Sequence, residues 1–187
     1  MEVNKLKEVK RKGWVMDGVK DPESVTDHSW RVALMVMVLG AKRKINMEHI
    51  LKMALIHDIP EVRVGDIVEI EKIKYNLPGT EPPKGMFDQI SKEEKHKIEE
   101  NTARDMLSDI EGAFEIWKEY QEGKTEGAKF VKQVDKLETV LQALEYESKG
   151  NYSSKTLHHY YPYGRENMKD SELLKLLDEI EARRPKS

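Results

Sequence analysis

The chain has 187 residues, of which 38% are hydrophobic and 36% are charged, and it contains no cysteine. The absence of cysteine excludes a disulfide framework, iron–sulfur ligation and a thiol nucleophile, and it is typical of a reducing compartment. The 32 basic and 35 acidic side chains nearly cancel to a net charge of -3, which argues against a protein that binds nucleic-acid polymers through their phosphates.

The apolar residues recur with helical spacing, which predicts an all-α protein. We expect a first helix from about residue 3 to 12. Ser24 and Asp27 form a capping-box pattern that opens a second helix, reaching to about residue 43. Because apolar residues lie all round this helix, we expect it to be buried on every side. Its apolar run, 32–39, is the longest in the chain and is too short to span a bilayer. Since the N-terminus also lacks a signal-peptide core, we expect a cytoplasmic protein without membrane contact.

Further helices are predicted in the rest of the chain. A third begins at Asn46 and should end just before Pro60, because a proline disfavours helical geometry in the residue that precedes it. A loop rich in proline and glycine is expected at 76–85. Four more helices are predicted, at about 92–109, 113–120, 125–147 and 170–184. We therefore expect one domain, 1–187, folded as a single bundle of six or more helices.

Two of the six histidines have unusual neighbours. His57 and Asp58 end an apolar helix, and His28 lies in the first turn of the other most apolar helix. A charged pair at the end of a buried run needs a partner, because an unpaired buried charge is very costly. Taken alone, His57 and Asp58 are a hydrogen-bonded pair at a helix end, and His28 is an ordinary first-turn residue.

The long helix predicted at 125–147 offers two acidic candidates for a buried site. Asp135 lies far from the centre of the apolar stripe of this helix, so it could simply face solvent. Glu138 lies nearer the stripe and is an equally good candidate on periodicity. Spacing alone does not choose between them.

The order of these residues resembles the signature of the HD-domain phosphohydrolase superfamily, in which a His, a His-Asp pair and a later Asp lie on a helical bundle. The segments 23–29, 57–66 and 132–135 are similar to the branch of bacterial 5′-deoxynucleotidases and their eukaryotic relatives, and residues 11–14 fit the same branch. The resemblance covers most of the chain. It implies a single all-α HD domain with a metal-site core at about 24–148, followed by the C-terminal helix.

The resemblance implies that His28, His57, Asp58 and Asp135 bind a divalent metal cation. Two imidazoles and two carboxylates suit Mn, Co, Fe or Zn and leave positions open for water and substrate. The implied activity is hydrolysis of (deoxy)nucleoside 5′-monophosphates by a water molecule that the metal activates. The alternatives are hydrolysis of alarmones or cyclic nucleotides, and a non-catalytic helical scaffold that keeps the metal for folding.

Glu61 and Asp66 occupy positions at which the family has acids that assist catalysis. By this resemblance we expect Glu61 to act as the general acid or base, and Asp66 to hold the water or the sugar edge. In the alternative interpretation, Glu61 pairs on the surface with Arg63 or Lys52.

Trp14 has two interpretations, a core residue or, as the resemblance implies, a flat wall beside the sugar. Some bacterial relatives have an arginine immediately before this tryptophan, whereas this chain has Gly13. The cation that binds the substrate phosphate is therefore unassigned, and the candidates are Arg11, Lys12, Arg63 and Lys132. The expected partner is a small-molecule nucleotide, and a homodimer is one of the oligomeric states left open.

Overall fold

The computed structural model of the protein describes residues 2–66, 92–150, 152 and 156–185. Within these ranges the fold is all-α, as predicted, and contains no β-strand; one isolated antiparallel bridge joins Lys10 to Ser24. None of the helices in these ranges combines the length and the apolar character needed to cross a membrane. The loop predicted at 76–85 lies outside the described residues.

The described fold consists of a short 3₁₀ helix followed by α-helices. The 3₁₀ helix spans Glu2–Lys7. The α-helices are α1 (Lys12–Met16), α2 (Val25–Gly40), α3 (Met47–Ile56), α4 (Glu61–Val64), α5 (Lys92–Met106), α6 (Ala113–Glu122), α7 (Glu126–Ser148), α8 (Tyr160–Glu166) and α9 (Ser171–Ala182).

The N-terminal prediction of one helix at 3–12 is wrong. The chain forms the 3₁₀ helix and then α1, and Gly13 lies inside α1 rather than ending a helix. The reason is tertiary: between the two segments, Val25 donates its N–H to the Val9 carbonyl and Arg11 donates its N–H to the Glu23 carbonyl. These bonds tie the N-terminal segment to the start of α2 and interrupt a continuous helix.

The core is built around α7, on which α2, α3, α6, α8 and α9 all pack. Because it is enclosed by five helices, α7 is buried on most of its circumference and its apolar stripe does not mark every buried position. Asp135 and Glu138 are both buried, the first 4% exposed and the second 0%. The interpretation that Asp135 faces solvent is therefore wrong.

The prediction that α2 is buried on every side is also wrong. Four of its large apolar residues are exposed on one face, Trp30 (61%), Leu34 (39%), Met37 (47%) and Val38 (62%). The helix packs mainly on α3 and α7, which cover only its opposite face. Apolar character shows that a side chain can be buried, but its burial requires a neighbouring element.

The region around Pro60 forms two helices with a turn between them. As predicted, α3 begins after Asn46, whose side chain caps it, and ends at Ile56, before the proline. Pro60 then forms the N-terminal boundary of α4. Helix α8 was not among the predicted elements. It contains Pro162 in its first turn, where proline is tolerated because no helical N–H bond is lost there.

Candidate metal centre

His28 is held in place by the capping box at the start of α2. The Asp27 N–H donates to Ser24 Oγ (3.1 Å), and the Ser24 N–H donates to the Asp27 carboxylate (2.8 Å). These reciprocal bonds satisfy N–H groups that the helix start would otherwise leave free. They fix the first turn, so the fully buried His28 ring points into the bundle.

The turn after α3 carries His57 and Asp58. His57 Nδ1 donates to the carbonyl oxygen of Ala54 (2.7 Å), and the indole of Trp117 donates to the His57 carbonyl (3.1 Å). A carbonyl can only accept a hydrogen bond, so Nδ1 carries a proton, and Nε2 is directed away from α3.

Asp135 reaches the same place from the middle of α7. Its Oδ2 accepts hydrogen bonds from the Tyr120 hydroxyl (3.0 Å) and from Lys136 Nζ (2.8 Å). Its Oδ1 lies 3.1 Å from His28 Nε2. The first oxygen is therefore held by protein donors, and the second faces the histidines.

These elements bring four predicted ligands into one buried cluster. One ligand atom each from His28, His57 and Asp58 lie within 4.8 Å of one another. His57 Nε2 is 3.1 Å from Asp58 Oδ2, and His28 Nε2 is 3.8 Å from that oxygen. Among the described residues, both Nε2 atoms and this oxygen are buried without a hydrogen-bond partner.

Burying a polar atom without a hydrogen-bond partner costs free energy unless a bound ligand or ion contacts that atom. Two imidazole nitrogens and carboxylate oxygens that converge on one point form a donor set suited to a divalent transition metal. The residues present therefore fit a metal ion. If all four bind, His28, His57, Asp58 and Asp135 would hold it.

The charges in the cluster also favour a bound cation. Burial acts to raise the pKa of Asp58 and of Asp135, but neighbouring positive groups, His57 for the first and Lys136 for the second, lower both below the ordinary value. Burial and the charge of Arg11 act to lower the pKa of His28, and its contacts with Glu138 and Asp135 outweigh them and raise it to about 10. Because metal ligands must be deprotonated, metal binding would release the proton that His28 otherwise keeps.

A second acidic group lies behind His28. Glu23 and Glu138 also place carboxylate oxygens within 4.8 Å of a His28 nitrogen. Both carboxylates already have donors: Trp14 Nε1 donates to Glu23 (2.9 Å), and Arg31 Nε donates to Glu138 (2.7 Å). This group is therefore a polar support for His28 rather than a second metal centre.

Arg11 and Asp66 border the cluster. The guanidinium of Arg11 lies 3.8 Å from Asp58 and 3.7 Å from Asp66. Burial acts to lower the pKa of Arg11, but Asp66 and Asp58 raise it well above its usual range, so it stays cationic. Asp66 also accepts the backbone N–H of Lys12 (2.8 Å), and the preceding Gly65 has a φ of 73°, which glycine adopts without strain.

Glu61 begins α4, and its negative charge acts on Arg11. The alternative interpretation pairs Glu61 with Arg63 or Lys52 at the surface, but both of these residues pair closely with other acids. Lys52 pairs with Glu48 (2.6 Å), and Arg63 pairs with Glu2 (2.8 Å).

The other predicted substrate-binding residues are not brought into the cluster. Arg63 lies at the surface, where it pairs with Glu2 and Asp105. The ammonium of Lys132 lies over the ring of Tyr120, 4.5 Å from its centroid, and the Tyr120 hydroxyl in turn contacts Asp135.

Trp14 is 1% exposed, and its ring packs at a tilt of 40° against that of Tyr160, with 4.1 Å between the ring centroids. This placement supports its interpretation as a core residue. A Cβ atom at Gly13 would lie 2.9 Å from the hydroxyl oxygen of Tyr160. A side chain at position 13 would therefore require the Tyr160 hydroxyl to move.

Sequence reasoning missed three residues that serve the cluster. Lys136 and Tyr120 bind Asp135, and Arg31 binds Glu138. Arg31 carried a usable signal, because it is an arginine in a strongly apolar helix and such a charge needs a partner. Tyr120 carried none, because nothing in a helical pattern shows where a hydroxyl group points.

A helical bundle with a cluster of two histidines and two aspartates fits a protein that binds a divalent metal. A family model described as HD domain matches residues 3–178, and the chain belongs to this family. HD domains are metal-dependent phosphohydrolase domains, so the protein is an enzyme of this class.

Comparison with known proteins gives the same family. The mouse protein named 5′-deoxynucleotidase HDDC2 is 36% identical over 187 aligned residues, which cover 97% of this chain and 84% of the mouse protein. The protein of that name from Dictyostelium discoideum is 39% identical over 155 residues, covering 76% of this chain and 73% of its own.

Two solved structures from Pyrococcus species have a similar fold. A conserved hypothetical protein from Pyrococcus furiosus superimposes with a TM-score of 0.72 at 29% identity, covering 97% of this chain and 96% of its own. The PH0347 protein from Pyrococcus horikoshii gives a TM-score of 0.73 at 28% identity, covering 98% and 96%.

Proposed function

We propose that the protein hydrolyses (deoxy)nucleoside 5′-monophosphates to a nucleoside and inorganic phosphate, with a divalent cation held by His28, His57, Asp58 and Asp135. The observation that carries this proposal is the convergence of buried nitrogen and oxygen atoms without hydrogen-bond partners beside Arg11, an arginine that is only partly exposed. The relatives named 5′-deoxynucleotidase support the choice of substrate class. Mn, Co, Fe and Zn all suit this donor set.

A bound divalent cation would polarise a phosphoryl oxygen and lower the pKa of water towards neutrality. The protein then has to bind the ester and move protons. Arg11 has the charge and the position to bind the substrate phosphate, since it lies beside Asp58 at the border of the cluster. A guanidinium suits this role because its planar N–H groups match phosphate oxygens in pairs.

Glu61 is the proposed general acid or base. The negative charge of its carboxylate acts on Arg11, the residue proposed to bind the substrate phosphate. It would take a proton from the attacking water or give one to the leaving 5′-oxygen. Asp66, tied to the backbone of Lys12, would hold the water or the sugar edge.

A substrate panel tests the proposal. The purified protein, loaded in turn with Mn²⁺, Co²⁺, Fe²⁺ or Zn²⁺, is assayed for phosphate release from deoxynucleoside and ribonucleoside 5′-monophosphates. Guanosine tetraphosphate and cyclic nucleotides are included with them. We expect the monophosphates to be hydrolysed fastest. Activity on the alarmone or the cyclic nucleotides alone would overturn the substrate assignment, and inactivity on every ester would favour the metal-stabilised scaffold.

The remaining expectations concern location and assembly. A cytoplasmic location, the absence of nucleic-acid binding and a homodimer are still predictions from the sequence.

A further inference from the structure

His28 is held by a side chain, whereas its counterpart His57 is held by the backbone. His28 Nδ1 lies 2.5 Å from Glu138 Oε2, and the Glu138 side chain is completely buried. An ionised carboxylate can only accept, so Nδ1 carries a proton, and Nε2 is left as the nitrogen that would bind a metal once it gives up its own proton. We propose that Glu138 is a positioning residue that fixes the orientation of His28 for metal binding, and that Arg31 holds Glu138 in place. This role rests on the proposed metal centre.

Arg31 has the contacts needed for this task. Its Nε donates to Glu138 Oε1 (2.7 Å), Nη2 donates to the Gln142 side chain (2.5 Å), and Nη1 donates to Glu145 (3.0 Å). The guanidinium is thus bound on three sides by residues of α7. It supplies a positive charge to the buried Glu138 carboxylate, and a buried carboxylate without compensation is strongly destabilising.

The two ends of the Glu138 carboxylate therefore have separate partners. One oxygen binds the histidine and the other binds the arginine, so rotation of the carboxylate would break both contacts. Outer carboxylates of this kind orient a ligating imidazole and make it a better donor, and their loss typically weakens metal binding by about 10–100-fold. The carbonyl of Ala54 gives His57 an orientation but no negative charge. A side-chain substitution can therefore test the group that orients His28, whereas it cannot remove the backbone carbonyl that orients His57.

Glu138→Gln is the central variant, because glutamine keeps the volume and must turn its NH₂ group toward either His28 or Arg31. After removal of metal, Mn²⁺ affinity is measured by competition with a fluorescent chelator. We expect the Kd to rise about 10–100-fold. The visible spectrum of the Co²⁺-loaded protein should change as well, because it reports the ligand geometry directly and a purely structural role would not alter it.

Glu145→Gln is the matched control. It lies on the same helix and contacts the same guanidinium, but it is half-exposed and its described ion pair is with Arg31, not with His28. Its Mn²⁺ affinity should equal that of the wild type. If Glu138→Gln does not fold, Arg31→Lys serves instead; it loses the fork that holds Glu138 and should weaken Mn²⁺ binding in the same direction.

A third variant separates this role from the metal centre itself. His28→Gln should lose more affinity than Glu138→Gln. If His28→Gln loses Mn²⁺ while a folded Glu138→Gln binds it as the wild type does, the positioning role is refuted and the metal centre stands. Wild-type affinity in both variants would overturn the metal centre and the positioning role together. Weakened binding in Glu138→Gln combined with a wild type inactive on every nucleotide would support the positioning role and refute the proposed activity.

Discussion

Asp135 Oδ1 lies 3.1 Å from Nε2 of His28, a contact that joins two buried side chains from opposite halves of the chain. Asp135 Oδ2 accepts hydrogen bonds from Tyr120 and Lys136, so only Oδ1 is directed at His28. The position of Asp135 is thus fixed from behind, as is usual for a residue that binds a ligand through one oxygen. It is also the predicted metal ligand that is furthest in sequence from the others.

The first prediction follows from this contact. Asp135→Asn should fold, because an amide has nearly the same shape as a carboxylate. Its Mn²⁺ affinity should fall further than that of a variant at a residue that only positions a ligand, such as Glu138. Loss of a positioning residue lowers metal affinity by about 10–100-fold. Metal content is measured after gel filtration of the loaded protein. Glu126→Gln, an exposed substitution on the same helix, is the control and should retain full metal content. Equal metal content in both variants would remove Asp135 from the ligand set.

This residue also shows how far the sequence could predict the site. The ordered motif identified His28, His57, Asp58 and Asp135, and the capping box correctly located the start of α2. Periodicity did not distinguish Asp135 from Glu138, because α7 is enclosed by five helices and both acids are buried. Their different tasks depend on which nitrogen of His28 each one faces, and that is fixed only by the packing of α2 on α7.

The errors have a similar origin. The exposed face of α2 and the break before α1 depend on which elements lie next to each other, and this information is not contained in a local pattern of apolar residues. The approximate positions of the longer helices, α2, α3, α5, α6, α7 and α9, were predictable because amphipathic spacing and capping residues are local features. The placement of Arg63 away from the cluster depends on Glu2 and Asp105, two surface residues that no motif connects to it.

Metal removal is the second prediction. Treatment with a chelator should abolish phosphate release, since the described cluster contains ligands for a cation and the chain has no cysteine that could act as a nucleophile. Adding Mn²⁺ or Co²⁺ back should restore activity. The assay follows phosphate release before chelation, after it and after metal is added back, and metal content is measured on the same samples. Full turnover in a sample shown to be metal-free would refute the mechanism.

Glu61 provides the third prediction, which separates catalysis from metal binding. Glu61→Gln should keep its fold and its metal, because Glu61 is not one of the proposed ligands. Its kcat should nevertheless fall by roughly 10²–10⁴-fold, the usual contribution of a positioned general acid or base. Glu48→Gln is the control, since Glu48 is an exposed glutamate paired with Lys52. Wild-type kcat in Glu61→Gln would shift the proton-transfer role to Asp66.

The fourth prediction compares two arginines that the sequence could not rank. Arg11→Lys should raise KM for a deoxynucleoside monophosphate, because an ammonium group cannot reproduce the paired N–H contacts of a guanidinium with phosphate. Arg63→Lys should change KM little, because Arg63 pairs with Glu2 and Asp105 at the surface. Steady-state kinetics on both variants test this, with thermal unfolding to show that each is folded. A larger rise in KM for Arg63→Lys would reverse the assignment.

The last prediction concerns stability, and it involves the contact between Asp170, which caps α9, and Arg43, which follows α2. Asp170 caps α9 through the N–H groups of Glu172 and Leu173, and it also binds Arg43 beyond the end of α2 (2.5 and 3.0 Å). The hydrogen bonds from Arg43 lower the pKa of Asp170 below its ordinary value. The folded state therefore binds the Asp170 proton less readily than the unfolded state does. The stabilisation is present above the unfolded pKa near 4 and is lost as the pH falls through the folded pKa.

Asp170→Asn isolates the charge from the cap, because asparagine caps a helix about as well as aspartate does. At pH 7 the variant should be less stable by about 0.5–1 kcal/mol, the size expected for a partly exposed ion pair. The difference from wild type should shrink below pH 4 and vanish once the wild-type carboxyl is protonated. Urea unfolding from pH 7 to pH 2.5 measures it. Glu172→Gln is the control, since this exposed partner of Arg43 should contribute little. A difference that persists unchanged at pH 2.5 would show that Asp170 acts through packing, because a charge effect has to disappear with the charge.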